Sequence, residues 1–160
     1  MKAFYWLIVL VTLPPTTWAD CWESAANKYQ LPSTVLKAIA FVESSYNPNA
    51  HEELANSESL GIMQVNSFWF PELRQHGIER EDLWDPCTNI EVGAWILAQE
   101  KARLGWNWLA IGSYNVGGYT DNKKHKLPLY RKYAEKVYET LRQLEKQQKP
   151  NLNKVQNAMD

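Results

Sequence analysis

Leu36-Lys37-Ala38-Ile39-Ala40-Phe41-Val42-Glu43-Ser44 is the stretch on which the fold turns. It reads as a helix, and at about 100° per residue Ile39, Ala40 and Glu43 all fall within roughly 60° of Leu36. Glu43 therefore lies along the apolar stripe, in the last turn, with Asn47-Pro48 following as a stop. Partial burial disfavours the anion there, and the negative end of the helix dipole repels it. A carboxyl so placed is expected to hold its proton toward neutral pH, which suits a general acid. The plainer reading is a surface glutamate on a helix rotated differently.

The elements on either side extend the helical pattern. Asp20-Cys21-Trp22-Glu23 has the form of an N-cap with Glu at the third helical position, opening a short helix to about Gln30. Pro32 then suits the first turn of the Glu43 helix, which is expected over residues 32–45. Residues 47–59 are polar and read as an irregular loop, with Glu52, Glu53 and Glu58 as solvated charges. Gly61-Ile62-Met63-Gln64-Val65-Asn66 reads as a turn or short strand with one polar amide between apolar neighbours. A helix with the aromatic entry Phe68-Trp69-Phe70 follows and ends at Gly77.

The clearest helix opens at Asp85-Pro86 and stops at Gly105, with Ile90, Ala94, Leu97, Ala98 and a snorkelling Lys101 on one face. A short apolar helix over residues 106–113 then leads Tyr114-Asn115-Val116-Gly117-Gly118 into a glycine-rich turn. Lys123-Lys124-His125-Lys126 reads as a solvated basic loop. The final helix, residues 129–147, carries Tyr130, Tyr133, Val137 and Leu141 or Leu144 on one side. No long strand or internal repeat is present. The expected fold class is all-α, with at most a minimal β hairpin.

Composition narrows the function. The chain has 160 residues, enough for one domain with a real core, and a formal net charge of −1 that does not announce a nucleic-acid partner. Eight Trp and eight Tyr suit sugar-binding clefts and cores equally well. Lys2 followed by an apolar run over residues 3–13, Pro14-Pro15 and Thr17-Trp18-Ala19 has the form of a cleavable signal peptide at residues 1–19. That run falls short of the roughly 20 residues a membrane span needs, although an uncleaved anchor is the other reading. The catalytic domain is then expected at residues 20–147, with a flexible polar tail at 148–160. Export makes a Cys21–Cys87 disulfide the default, with two buried thiols as the alternative. His51, His76 and His125 show no ligand spacing, so no metal and no cofactor are expected.

Three segments in order carry a resemblance. Glu43-Ser44 with Asn47-Pro48, then Ser59-x-Gly61-x-Met63-Gln64, then Tyr114-Asn115-x-Gly117 resemble the soluble lytic transglycosylase family of the lysozyme-like superfold. The resemblance spans about residues 21–140. It is greatest to the small single-domain branch that accompanies type III and type IV secretion, conjugation and pilus systems. It implies cleavage of the β-1,4 bond between N-acetylmuramic acid and N-acetylglucosamine in peptidoglycan, leaving a 1,6-anhydro product. Glu43 matches the family's single catalytic acid/base. Ser59, Met63, Gln64, Tyr114, Asn115 and Tyr133 match positions that line the cleft, although Met63 and Tyr133 suit core packing as well and Asn115 equally suits a turn cap. A monomer is implied, with peptidoglycan glycan strands as substrate and components of a secretion or conjugation apparatus as possible partners. The chain departs from many larger relatives after Val65, where Asn66-Ser67 stands in place of Met-Pro. Two other functions are compatible with the same residues: a goose-type lysozyme that uses water, and an inactive wall-binding assembly module.

Overall fold

The computed structural model describes residues 18–118 and 120–156. The apolar run at residues 3–13 lies outside them. The described residues form six α-helices and three short strands: α1 (Trp18–Tyr29), α2 (Ser33–Ser44), β1 (His51–Leu54), β2 (Ser57–Leu60), β3 (Val65–Asn66), α3 (Phe70–Gln75), α4 (Pro86–Leu104), α5 (Trp108–Val116) and α6 (Leu127–Gln156). No described helix is long and apolar enough to cross a membrane.

α4 is the spine. Asp85 caps it, accepting from the Thr88 N–H at 2.8 Å, Pro86 fills its first turn, and Gly105 ends it. It is buried on two faces. Ile90, Ala94 and Leu97 join Leu36, Ile39 and Ala40 of α2 and Val137 of α6 in one core cluster. Val92 and Ile96 join Leu60, Val65, Leu73 and Leu83 in a second. Each of these large side chains contributes about 2 kcal/mol through burial. Lys101 reaches across to α1's end, its Nζ donating to the Gln30 carbonyl at 2.6 Å. Cys21 of α1 is disulfide-bonded to Cys87 in the first turn of α4. Closing a loop of that length is worth about 4 kcal/mol by the chain-entropy argument.

α2 stops earlier than Asn47-Pro48 would impose. Ser45 (φ 54°) and Tyr46 (φ 64°) are both left-handed, and their N–H groups return to the carbonyls of Phe41 and Ala40. The chain is thereby turned sharply one residue after the carboxylate-bearing turn.

Residues 51–60 correct the expected loop. They form an antiparallel hairpin, β1 on β2, with Glu52 opposite Ser59, and β3 completes a three-stranded sheet. All four β1 residues are exposed, so no alternation marks the strand in the sequence. Nor is Glu58 a free solvated charge. Arg80 grips it through Nε to Oε1 at 2.8 Å and Nη2 to Oε2 at 2.7 Å, and His51 Nε2 lies 3.0 Å from that same Oε2. That cluster ties the hairpin to the 3-10 turn Arg80–Trp84.

α5 begins at Trp108, capped by Asn107, and continues through Tyr114 and Asn115, which are helical rather than part of a turn. Gly112 lets α5 approach α6 closely, since a Cβ there would sit 2.5 Å from the Tyr130 carbonyl oxygen. The basic run forms a 3-10 turn, Asp121–Lys126. α6 buries Tyr130, Tyr133 and Val137, with Leu141 and Leu144 partly buried beside them. The helix continues past residue 147 to Gln156, where polar composition predicts fraying.

Candidate active site

The last turn of α2, the last turn of α5 and the second turn of α6 meet at one point. Glu43 is half-buried there, and Tyr133 of α6 donates its hydroxyl to Glu43 Oε1 at 2.5 Å. Asn115 of α5 also hydrogen-bonds the carboxylate. Burial pushes the Glu43 carboxyl above the ordinary glutamate range. The Tyr133 and Asn115 bonds pull it back, the charge of Glu52 pushes it up, Lys136 pulls it down, and the net shift is upward. The carboxyl terminus of α2 acts in the same upward direction. The acid therefore keeps its proton more readily than a surface glutamate, and two donors stand ready to hold the anion once the proton leaves.

Both nearby phenols stay neutral. Burial, and then the Glu43 charge, raise Tyr114 and Tyr133 well above the usual tyrosine range. Tyr133 is 6% exposed and faces the acid. Tyr114 instead donates to the Met63 carbonyl at 2.8 Å, joining α5 to the turn between β2 and β3.

That turn forms one wall of the cleft. Gln64 is left-handed (φ 50°), and its Nε2 donates to the carbonyls of Ala50 (3.1 Å) and Gly61 (2.9 Å). Its amide nitrogen is thus spent on backbone, leaving Oε1 for a ligand. Ser59 is 7% exposed and its Oγ accepts from Asn66 Nδ2 at 3.1 Å. Of the two roles open to Met63, cleft position and packing, its placement favours the second. Its side chain is fully buried in the first core cluster, against Gly93 of α4, so it packs rather than contacting a ligand.

The cleft encloses about 640 Å³, and Glu43, Ser59, Gln64, Tyr114 and Asn115 all line it. Three of the other lining residues had no cleft role assigned from the sequence and bear on the chemistry. Glu52, read as a solvated charge, sits in the cleft wall close enough to act on Glu43. Asn66, noted as a departure from larger relatives, lines the cleft while its Oδ1 caps the turn at Phe68. Phe68, 77% exposed, forms the outer aromatic rim with Trp69 at a ring separation of 5.3 Å. Three adjacent aromatics at a helix entry, more than one small core needs there, were the available signal. Among the described residues no group of His, Cys, Asp and Glu is arranged to hold a metal.

Known proteins resemble this chain in sequence and in fold. The model of the transglycosylase SLT domain matches residues 20–137. The chain is 36% identical over 156 residues to invasion protein IagB of Salmonella typhi, covering 96% of this chain and 95% of that protein. It is 36% identical over 150 residues to protein IpgF of Shigella flexneri, covering 92% and 96%. Its fold is similar to that of an inactive mutant of the lytic transglycosylase Slt from Pseudomonas aeruginosa, with TM-score 0.62 and 22% identity. There the alignment covers 77% of this chain and 23% of the larger one. A match over nearly the whole helical core, with relatives of the same length, leaves one conclusion: the chain belongs to the transglycosylase SLT domain family.

Proposed function

We propose that Glu43 is the single acid and base with which this peptidoglycan lytic transglycosylase cleaves the bond between N-acetylmuramic acid and N-acetylglucosamine. One observation carries the assignment: a carboxyl with a raised pKa opens on the cleft and is held by Tyr133 and Asn115. In the first step Glu43 gives its proton to the glycosidic oxygen as the C1–O bond breaks, and the 2-acetamido carbonyl supports the cationic centre. In the second the Glu43 carboxylate takes the proton of the muramyl 6-hydroxyl while O6 attacks C1. No water is consumed, and the muramyl product ends as a 1,6-anhydro sugar. Ser59, Gln64 Oε1, Tyr114 and Asn115 position the sugars, and Phe68 offers a ring face to a pyranose.

A hydrolytic reading draws support from Glu52, a second carboxylate in the same cleft, which could activate water as in two-carboxylate glycosidases. Mass spectrometry of digested murein separates the two. The expected products carry the anhydromuramyl end; products one water heavier would overturn the transglycosylase reading and give Glu52 the second role.

Tyr133→Phe tests the two-step use of one acid. It removes a donor that stabilises the carboxylate, so the Glu43 pKa rises further. The alkaline limb of the pH–rate profile, where Glu43 loses its proton, should move to higher pH. The maximal rate should fall roughly tenfold, as befits one lost charge-assisted bond. An unmoved limb would reduce Tyr133 to packing.

The similarity to invasion protein IagB supports a place beside a type III or type IV secretion or conjugation apparatus, where local opening of the wall is required. A cleaved leader at residues 1–19, a catalytic domain at 20–147 and a monomeric protein acting in the periplasm complete the proposal; the Cys21–Cys87 disulfide supports the oxidising compartment.

A further inference from the structure

A second pocket, of about 350 Å³, adjoins the cleft and is lined by Tyr133, which holds the acid. Asn115 and Val116 form a wall common to both, and Leu129, Lys132, Tyr133 and Lys136 of α6 complete the second. Lys132 and Lys136 stand one helical turn apart and flank Tyr133, the residue that holds Glu43. Both are exposed, and among the described residues neither is in an ion pair. No carboxylate lines the pocket, and Leu129, 52% exposed, gives it an apolar edge.

The glycan backbone offers these lysines nothing ionic, because N-acetylated sugars linked through their hydroxyls are uncharged. The anions of peptidoglycan are the free carboxylates of its peptide stems. A stem leaves the muramyl ring through the lactyl ether at O3, on the same ring as the C1 whose bond Glu43 cleaves and two carbons from it. A strand seated across Glu43 therefore delivers its stem beside the acid, where the pocket presents two ammonium groups and an apolar edge. We propose that the Lys132–Lys136 pocket binds the acidic peptide stem of the muramyl unit undergoing cleavage, so that the enzyme selects stem-bearing, unamidated glycan. The inference rests on the transglycosylase reading and adds the part of the substrate that sets its specificity. The alternative is two solvated lysines on an exposed helix face.

The test measures binding to the Glu43→Gln protein, which leaves the ligand intact. The probes are soluble stem-bearing glycan chains of one length, with stem carboxylates either free or chemically amidated. Free-carboxylate chains should bind about three- to tenfold more tightly, the range two exposed ion pairs supply, and the difference should shrink with added salt. Adding Lys132→Gln and Lys136→Gln, both surface changes, should abolish the difference. Equal affinity for the two chain types, or a preference that survives the double substitution, would overturn the proposal. Cleavage of the same chains by the unsubstituted protein, read in parallel, tests the transglycosylase reading separately, because the binding difference does not depend on turnover.

Discussion

Replacing Glu43 with Gln should lower murein lysis at least about 10²-fold, the lower end of what general acid–base catalysis contributes, and should make the protein more stable at neutral pH. The two effects have one origin. Gln keeps the shape and a hydrogen-bonding oxygen for Tyr133 but has no proton to give. It also has no charge to bury. The sign follows from the raised pKa. Between the ordinary glutamate value and the raised one, the folded protein binds more protons at Glu43 than the unfolded chain does. Stability from this group is therefore full below the ordinary value and is lost as pH rises through the folded value. Above that the folded state carries a half-buried carboxylate on the negative end of α2, and Gln removes the penalty. Thermal melts across pH should show wild type losing ground to Glu43→Gln as pH rises. An inactive wall-binding module would gain the same stability while keeping its role in secretion. A Glu43→Gln protein that lysed murein at the wild-type rate would refute the catalytic assignment.

What could be read from the sequence follows the physics of each signal. α2 and α4 were legible because their apolar stripes are long and their ends are chemically marked, by Pro32 for the first and by Asp85-Pro86 and Gly105 for the second. Glu43 was legible because a stripe makes a misplaced acid visible. The hairpin was not, because β1 is wholly exposed and its turn, Ala55-Asn56, lacks the glycine that usually marks a two-residue connection. That miss also hid Glu52, whose place in the cleft depends on the hairpin folding back over Glu43's side of the molecule. Met63 was left between two roles by the sequence. Its position in a motif suggested contact with ligand and its side chain suggested packing, and the fully buried thioether lies against Gly93. Lys132 and Lys136 carried no signal, since exposed lysines on a helix are the ordinary case until the pocket beside them is seen.

Asn89→Leu should destabilise the protein by about 4 kcal/mol or more. The side chain is fully buried in α4 and ties together two segments, the turn between β2 and β3 and the 3-10 turn Arg80–Trp84. Its Oδ1 accepts the Met63 N–H at 2.8 Å, and its Nδ2 donates to the carbonyls of Leu60 and Leu83, each at 2.9 Å. Gly61 completes the device. It is left-handed (φ 77°), and a Cβ on it would lie 2.3 Å from Asn89 Nδ2, so no other residue lets the amide so close. Leu fills similar volume but strands one buried N–H and two carbonyls, each worth about 1–3 kcal/mol when left unpaired, in a protein whose whole stability is on the order of 5–15 kcal/mol. The cleft should fail with the fold, since the turn that Asn89 fixes sets the Met63 carbonyl for Tyr114 and aims Gln64. Asn89→Asp separates bonding from shape. It keeps the acceptor, loses both donors and aims a buried anion at two carbonyl oxygens. Its pKa should therefore be raised, and its stability should recover partly as pH falls and the acid regains a donor. Denaturant titration reads both variants. A loss below about 1 kcal/mol for Asn89→Leu, or an Asn89→Asp protein indifferent to pH, would mean the turn is held by packing alone and that Gln64 and Tyr114 are positioned without this clamp.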